Sequence, residues 1–320
     1  MVSDRSHAEK GSAYRIVLIV MLAVLTAIAG YEGMVQAATL QQKTFKTPDA
    51  AVKALAAATR ANDVQALEAL FGPGSKDLIS SGDDVDDTRG RKMFVKAYED
   101  AHRLEKAGNN KRILYVGKDD WPMPVPIVKT GKQWHFQTEE GRQEILSRRV
   151  GKNELGAIQS CLAIVDAEKE YATLDRDNNQ LLEYAQKLES EKGKRDGLYW
   201  EAAPGEPLSP LGPLVARATA EGYKNAEQMS PYHGYFFRIV TAQGENANGG
   251  AYSYIVNGNM IGGFAIVAYP ALYRASGVKT FIVNHEGVVY EKDLGPETAK
   301  LAAAITVFNP DPSWKKVETQ

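Results

Sequence analysis

The stretch Thr280-Phe281-Ile282-Val283-Asn284-His285-Glu286-Gly287-Val288-Val289-Tyr290 decides how the second half of the chain folds. Two runs of β-branched and aromatic residues flank His285-Glu286-Gly287, which has the composition of a tight turn, so the stretch predicts a β-hairpin. Residues 235–240 and 263–268 are two earlier runs of the same kind. Together they predict an antiparallel meander.

A long helical pattern precedes these strands. From Gly151 onward, apolar residues recur at spacings of three and four, which is the period of a helix face: Leu155, Ile158, Leu162 and Val165. The turn-forming residues 175–179 interrupt the pattern, and residues 181–188 resume it. Residues 193–213 are rich in Gly and Pro and predict a long ordered loop, after which residues 214–221 form a short helix.

The first half shows helices followed by strands. Thr47 and Pro48 provide a helix N-cap and a first helical residue, and Asn62-Asp63 starts a second helix that Gly72-Pro73-Gly74 ends. A third helical pattern covers residues 88–106. Three strands follow, at residues 113–116, 125–129 and 133–137, the last two joined by a hairpin turn. We therefore predict an α+β protein.

By element order, helices followed by a curved antiparallel sheet resemble the NTF2-like and cystatin-like folds. One long helix laid over an antiparallel meander is similar to the soluble domains of pilins. The sequence thus predicts an N-terminal α+β domain over residues 38–150 and a pilin-like domain over residues 151–320.

The N-terminus has the form of an export signal. Basic residues precede an apolar block at residues 16–29, which is the length of a signal-peptide core and short for a membrane span. Val35-Gln36-Ala37 then offers the small-x-small pattern of a cleavage site. We expect a signal peptide over residues 1–37, a periplasmic or secreted mature chain, and no stable transmembrane domain after cleavage. The alternative is an uncleaved anchor that leaves the body of the protein on the periplasmic side.

Net charge and cysteine content limit the classes of ligand and of covalent cross-link that the chain can have. The formal net charge is −2, so nothing favours a nucleic acid as ligand. Cys161 is the single cysteine, which excludes an intramolecular disulfide, and its position predicts a buried helix residue.

Metal and cofactor motifs are weak in this sequence. Asp175, Asp177 and Asn179 alternate as in a calcium loop, but Gln180 and Gln186 stand where an EF-hand needs Gly and Glu, so we expect a helix-breaking turn. The acidic run 83–87 is predicted to be a solvated loop. No pair of histidines has metal-ligand spacing, and no nucleophile, phosphate-binding or dinucleotide motif is present. We predict no metal, no cofactor and no catalytic residue.

One aromatic and acidic set is a candidate ligand site. Aromatic faces combined with one imidazole and one carboxylate can line a glycan or peptide groove, and the set comprises Asp196, Tyr199, Trp200, Tyr232 and His233, with Tyr235 beside them. In the alternative interpretation, Asp196-Gly197 is a turn and the aromatic side chains fasten the long loop onto the sheet.

Several short motifs carry a resemblance to a known family. They are Asp119-Asp120-Trp121-Pro122-Met123-Pro124-Val125-Pro126, Ala167-Glu168-Lys169-Glu170-Tyr171, Arg195-Asp196-Gly197-Leu198-Tyr199-Trp200, Ser209-Pro210-Leu211-Gly212-Pro213, Tyr232-His233-Gly234-Tyr235-Phe236 and Ala268-Tyr269-Pro270. The chain resembles the exported bacterial proteins grouped as domain of unknown function 2950. The resemblance implies an exported protein. It implies no particular activity, because that family has none established. The pilin likeness covers the second half, although the processing pattern of true pilins is absent.

Together these features favour a non-catalytic binding or envelope-assembly role, with an envelope protein, a peptide or a glycan as partner. The alternative is a periplasmic hydrolase or another enzyme. Its site would lie in the cone-shaped N-terminal half or among the aromatic residues of the 196–200 segment and His233.

Overall fold

The computed structural model describes residues 41–176, 178–203, 205–223 and 230–318. The predicted signal peptide, its cleavage site and Asp177 lie outside these residues. Residues Gln41–Gln320 form one compact unit. Within the described ranges, no helix is both long enough and apolar enough to cross a membrane.

The first half contains four helices and an antiparallel sheet in its described residues. The helices are α1 (Pro48–Arg60), α2 (Val64–Phe71), α3 (Lys76–Ile79) and α4 (Asp84–Asp100). The strands are β1 (His102–Lys106), β2 (Lys111–Val116), β3 (Trp121–Pro122), β4 (Ile127–Thr130) and β5 (Gln133–Phe136). They pair in the order β1-β2-β4-β5, with β3 added to β2.

The second half is organised around a second five-stranded antiparallel sheet. The elements of this half in chain order are α5 (Thr138–Tyr171), α6 (Gly212–Ala220), β6 (Tyr235–Val240), β7 (Ala242–Gln243), β8 (Tyr252–Ser253), β9 (Ile255–Val256), β10 (Asn259–Met260), β11 (Ala265–Pro270), β12 (Lys279–Asn284), β13 (Val289–Asp293), α7 (Thr298–Ala303) and β14 (Lys315–Lys316). The strand order of the sheet is β14-β13-β12-β11-β6. The predicted hairpin is the β12–β13 pair, which turns at Gly287 with a φ of 77°. The α+β class with antiparallel sheets is confirmed.

The helix starts follow from side-chain capping, as the sequence predicted. The Thr47 hydroxyl accepts a hydrogen bond from the Ala50 N–H at 3.1 Å, and the Asp63 carboxylate accepts one from the Ala66 N–H at 2.9 Å. Each bond satisfies a backbone donor that the first turn of a helix leaves free.

Helix α5 connects two hydrophobic cores. The first core lies between α1, α2 and the first sheet, and Ile145 of α5 packs against it. Further along the helix, Ala157, Cys161 and Ile164 belong to the second core, under the second sheet. The predicted domain boundary at residues 150 and 151 falls inside this helix. The division into domains at residues 38–150 and 151–320 stays a prediction.

Two predicted helix bounds differ most from the observed ones. The third helix ends at Asp100, and residues 102–106 form β1. Helix α5 begins at Thr138, thirteen residues before Gly151. Its first turns carry no apolar repeat because charged side chains hold them, as where Arg142 donates to the Gly74 carbonyl oxygen at 2.8 Å.

The helix predicted for residues 181–188 does not form. Tertiary contacts take the backbone groups that such a helix would use. The Ala185 N–H donates to the buried Glu168 carboxylate at 2.9 Å, and the Tyr184 N–H donates to the Met260 carbonyl oxygen at 2.9 Å. Burial raises the pKa of Glu168 well above its usual range.

The acidic run 83–87 is not the solvated loop that the sequence predicted. Asp83 is 2% exposed and caps α4 by accepting a hydrogen bond from the Asp86 N–H at 3.0 Å. Its other carboxylate oxygen accepts from the Tyr223 hydroxyl at 2.7 Å and from the Gly234 N–H at 2.9 Å. One carboxylate therefore ties the first half of the chain to the start of β6.

Removing this carboxylate tests that connection. We expect Asp83→Ala to lower the free energy of unfolding by about 2 to 4 kcal/mol, because each buried donor left without an acceptor costs about 1 to 3 kcal/mol. Asp84→Ala is the matched control, since Asp84 is exposed in the same helical turn. Urea unfolding of both variants provides the measurement. Equal, small losses in the two variants would contradict the connection.

Cys161 is buried in α5 as predicted, and burial raises the pKa of its thiol to about 12. A thiolate is the reactive form of cysteine, so we expect the native protein not to react with a disulfide reagent at neutral pH. One equivalent should react after denaturation in urea. Rapid reaction of the native protein would show that Cys161 is accessible.

Candidate functional site

The main candidate site is an apolar groove beside strand β6. This strand pairs with β11 on one side and lies at the end of the second sheet. The groove runs along its other side and has a volume of about 440 Å³. We call it the β6 groove.

Three elements form the walls of the β6 groove. Strand β6 contributes residues 236–239, α5 contributes Ser160 and Ile164, and α6 contributes one face of its helix. The α6 side chains are Leu214, Val215, Ala218 and Thr219. Leu188, Leu211, Tyr223 and Tyr232 also line the groove, and we call the part at Tyr223 and Tyr232 its tyrosine end. A concave apolar surface with a few polar groups in its lining has the form of a ligand pocket.

A buried polar cluster supports the tyrosine end of the groove. The Tyr223 hydroxyl donates a hydrogen bond to the Asp83 carboxylate and also accepts one from the backbone N–H of His233 at 3.2 Å. Burial raises the pKa of Tyr223 far above its usual value, and the adjacent Asp83 carboxylate raises it further. Tyr223 is thus held as a neutral phenol that joins the groove wall to the start of α4.

His233 lies in a tight turn that requires an unusual backbone. Its φ is 50°, and Gly234 follows with a φ of 75°. A Cβ on Gly234 would lie 2.6 Å from the Asn153 side-chain nitrogen and 2.9 Å from the Ser276 Cβ, so this position needs glycine. The turn brings Tyr232 back against Tyr235, whose backbone groups it pairs with.

Charged groups surround the His233 ring. Its Nε2 lies 3.3 Å from the Glu221 carboxylate, and the same carboxylate is 3.3 Å from the Arg89 guanidinium. Arg89 also pairs with Asp86, which Lys152 approaches at 2.9 Å. Burial opposes the ionisation of Asp86, but Lys152 and Arg89 together lower its pKa. Burial lowers the pKa of His233, and the Glu221 carboxylate only partly offsets that effect.

A second, polar concavity lies in the long loop. It has a volume of about 720 Å³ and is lined by charged residues of the 189–206 segment together with Tyr199 and Trp200; we call it the 189–206 cleft. Two guanidinium groups lie near the Trp200 ring, that of Arg195 at 5.5 Å and that of Arg176 at 5.7 Å from its centroid. Its indole N–H is buried and has no hydrogen-bond partner within the described part of the chain.

Asp196 has a structural position in this loop. Its carboxylate accepts from the Glu191 N–H at 2.9 Å and from the Lys187 ammonium at 2.8 Å. Partial burial opposes ionisation, but these two contacts lower the pKa of Asp196. Gly197 follows in close contact with the Glu189 and Ser190 backbone, since a Cβ there would lie 2.6 Å from the Glu189 carbonyl carbon.

The sequence-predicted set is therefore divided between two places. Tyr199 and Trp200 line the 189–206 cleft, whereas Tyr232 lines the β6 groove and its neighbour His233 pairs with Glu221. Asp83 and Tyr223 were missed, because an acidic run reads as solvated and an isolated tyrosine carries no motif. The apolar residues of α6 were predicted as a helix, and nothing in their spacing marks a face that lines a groove.

The calcium-like turn shows local pairing. The Asp175 carboxylate accepts hydrogen bonds from the N–H groups of Asn179 and Gln180, at 3.1 and 2.9 Å. Among the residues that the structure describes, no group of three or more His, Cys, Asp or Glu side chains is arranged to hold a metal ion.

The lowered pKa of His233 predicts a pH-dependent stability. Below about pH 6.5 an unfolded histidine takes up a proton that the folded His233 resists, so stability is full above that pH and falls as pH decreases. His233→Asn removes the titration and keeps a residue that tolerates a positive φ. We expect the free energy of unfolding of this variant to fall less between pH 7 and pH 5. Parallel curves for the two proteins would exclude His233 as the source.

The comparisons with known proteins identify a family. The model of the family described as "Protein of unknown function (DUF2950)" matches residues 42–317, which is most of the chain. No curated protein and no solved structure matches the chain significantly. The family match confirms the resemblance carried by the short motifs, and the chain belongs to the DUF2950 family.

Proposed function

We propose that this protein is a non-catalytic binding protein of the bacterial cell envelope, and that the β6 groove holds an apolar part of its ligand. The observation that carries the proposal is the groove itself. It is about 440 Å³ in volume, and apolar side chains from α5, α6 and β6 form most of its walls. A surface of this kind gains free energy when a ligand displaces water from it.

The chemistry beside the groove favours binding over catalysis. The two hydroxyl groups at its tyrosine end belong to Tyr223 and Tyr232, and burial raises the pKa of both. A phenol with a raised pKa is a poor nucleophile and a poor base at neutral pH. His233 is paired with Glu221 and lies in the turn before β6.

A second candidate, an enzyme with its site in the 189–206 cleft, has one observation in its favour. The cleft is lined by Trp200, whose indole N–H has no hydrogen-bond partner among the described residues, and by acidic residues that include Glu191 and Glu206. However, Glu206 is paired with Arg195 at 3.1 Å, and Glu191 is paired with two lysines. Carboxylates neutralised in this way are better suited to holding the loop together than to general acid catalysis.

Export and fold likeness complete the proposal. An N-terminal signal peptide would deliver the chain to the periplasm, where an apolar binding groove suits a role in envelope assembly. We propose a pilin-like arrangement for α5 and the second sheet, because one long helix packs against an antiparallel meander. For the first half we propose an NTF2-like or cystatin-like arrangement on the basis of its element order.

An uncharged, fluorescent naphthylamine dye tests the groove. We expect the dye to bind the wild-type protein and Ala218→Glu to weaken binding at least tenfold, because Ala218 faces the groove and a carboxylate there would have to be desolvated. Ala216→Glu is the matched control, since Ala216 is exposed on the same helix and does not line the groove.

Both variants should melt within a few degrees of the wild type, which shows that the fold is intact. Equal dye binding by Ala218→Glu and Ala216→Glu would place the dye elsewhere and contradict the proposal. Loss of dye binding in Trp200→Ala alone would favour the 189–206 cleft.

A further inference from the structure

Strand β6 has backbone groups that pair with nothing in the sheet. In its antiparallel pairing with β11, Gly234 lies opposite Ala271 when the register is extended by one residue, and the Ala271 N–H donates to the Gly234 carbonyl oxygen at 2.9 Å. Antiparallel strands alternate between bonded and non-bonded pairs. The backbone N–H and C=O groups of residues 236, 238 and 240 therefore face β11, and those of Phe237 and Ile239 face the opposite side.

Two further contacts agree with this alternation. The Tyr235 N–H and C=O groups also face away from β11, and both are paired with Tyr232, at 3.1 and 2.8 Å. At the other end of the strand, the Thr241 carbonyl oxygen accepts from the Tyr254 N–H at 2.8 Å. The outward edge is thus closed at Tyr235 and at Thr241. Between them, Phe237 and Ile239 have no backbone partner among the described residues.

The open part of the edge coincides with the β6 groove. The groove is lined by four consecutive residues of the strand, 236–239, as expected for a channel that follows a strand edge. Its opposite wall is α6, which presents Leu214, Val215 and Ala218. Phe237 and Ile239 pack against the second core on the side of the sheet that carries Tyr235, and the Tyr235 ring contacts Phe281.

We propose that the ligand of the β6 groove is an extended polypeptide segment, which joins the second sheet as a strand beside β6. This inference rests on the proposed function and specifies its ligand. The N–H and C=O groups of Phe237 and Ile239 bond to alternate residues of the segment. Apolar side chains at alternate positions of the segment enter the space between β6 and α6.

Hydrogen bonding distinguishes a polypeptide from other apolar ligands. A lipid chain fills apolar volume but leaves the two N–H donors and two C=O acceptors of the edge unpaired, whereas an added strand satisfies both kinds. A second copy of this chain would have to bring its own β6 edge into a groove that α6 flanks on one side. A single extended segment needs no such approach of two folded bodies.

The experiment uses the full mature chain and a library of strand-length synthetic peptides. In each peptide Val, Leu or Phe alternates with Ser or Thr, and a fluorescent label reports binding by anisotropy. We expect members of the library to bind the wild type and Ala216→Glu, and to bind Ala218→Glu at least about tenfold more weakly, which is a loss of about 1.4 kcal/mol.

The best binder is then resynthesised with a single N-methyl group at each backbone nitrogen in turn. We expect binding to weaken about tenfold when the methyl group is at alternate residues, since it removes a donor and obstructs the edge. At the intervening residues, binding should stay within about twofold. This alternation is the signature of strand addition and does not depend on a protein variant that could misfold.

Each other outcome overturns the inference. If the naphthylamine dye binds the groove but no peptide binds above the level of Ala218→Glu, the proposed function stands and the ligand is not a polypeptide. If N-methylation is tolerated equally at all positions, side chains alone are recognised. If the protein forms a dimer that Ala218→Glu abolishes, the edge binds a second copy.

Discussion

The carboxylate of Asp83 is the interaction on which the arrangement of the candidate site depends. It caps α4, accepts the Tyr223 hydroxyl and accepts the Gly234 N–H. These three donors come from segments separated by about 140 and 151 positions in the sequence. A buried carboxylate is stable only where donors saturate it, so the three segments must meet in one geometry. Asp83 therefore fixes where β6 begins relative to the first half of the chain.

The position of the β6 groove depends on where β6 begins. The turn at His233 and Gly234 directs Tyr232 back along Tyr235, which closes the strand edge at one end. Two residues farther along, the edge has no backbone partner among the described residues, and α6 lines an apolar channel beside it. Edge strands are usually protected by short length, charge or a covering element. The flanking helix α6 narrows access here, which favours a single extended segment over a second sheet.

The coarse fold could be predicted from the sequence, because capping residues and strand composition act locally. Thr47 and Asp63 cap their helices and residues 280–290 form a hairpin, as the sequence predicted. Helix α5 was predicted too short, since Arg142 and Arg149 hold its first turns through charge instead of an apolar face. The 181–188 helix failed because the buried Glu168 carboxylate binds a backbone N–H of that segment. Such long-range contacts leave no periodic signal. The candidate site was predicted only in part for the same reason, as Tyr232 lines the groove while Trp200 lies in another cleft.

Amide hydrogen exchange of the ligand-free protein can show whether the outward edge of β6 is open at Phe237 and Ile239. Residue-resolved exchange measured by NMR should alternate along the strand. We expect slow exchange at Phe236 and Arg238, whose N–H groups face β11, and exchange faster by orders of magnitude at Phe237 and Ile239. Equal protection at all four amides would show that the edge is already paired and would contradict the account.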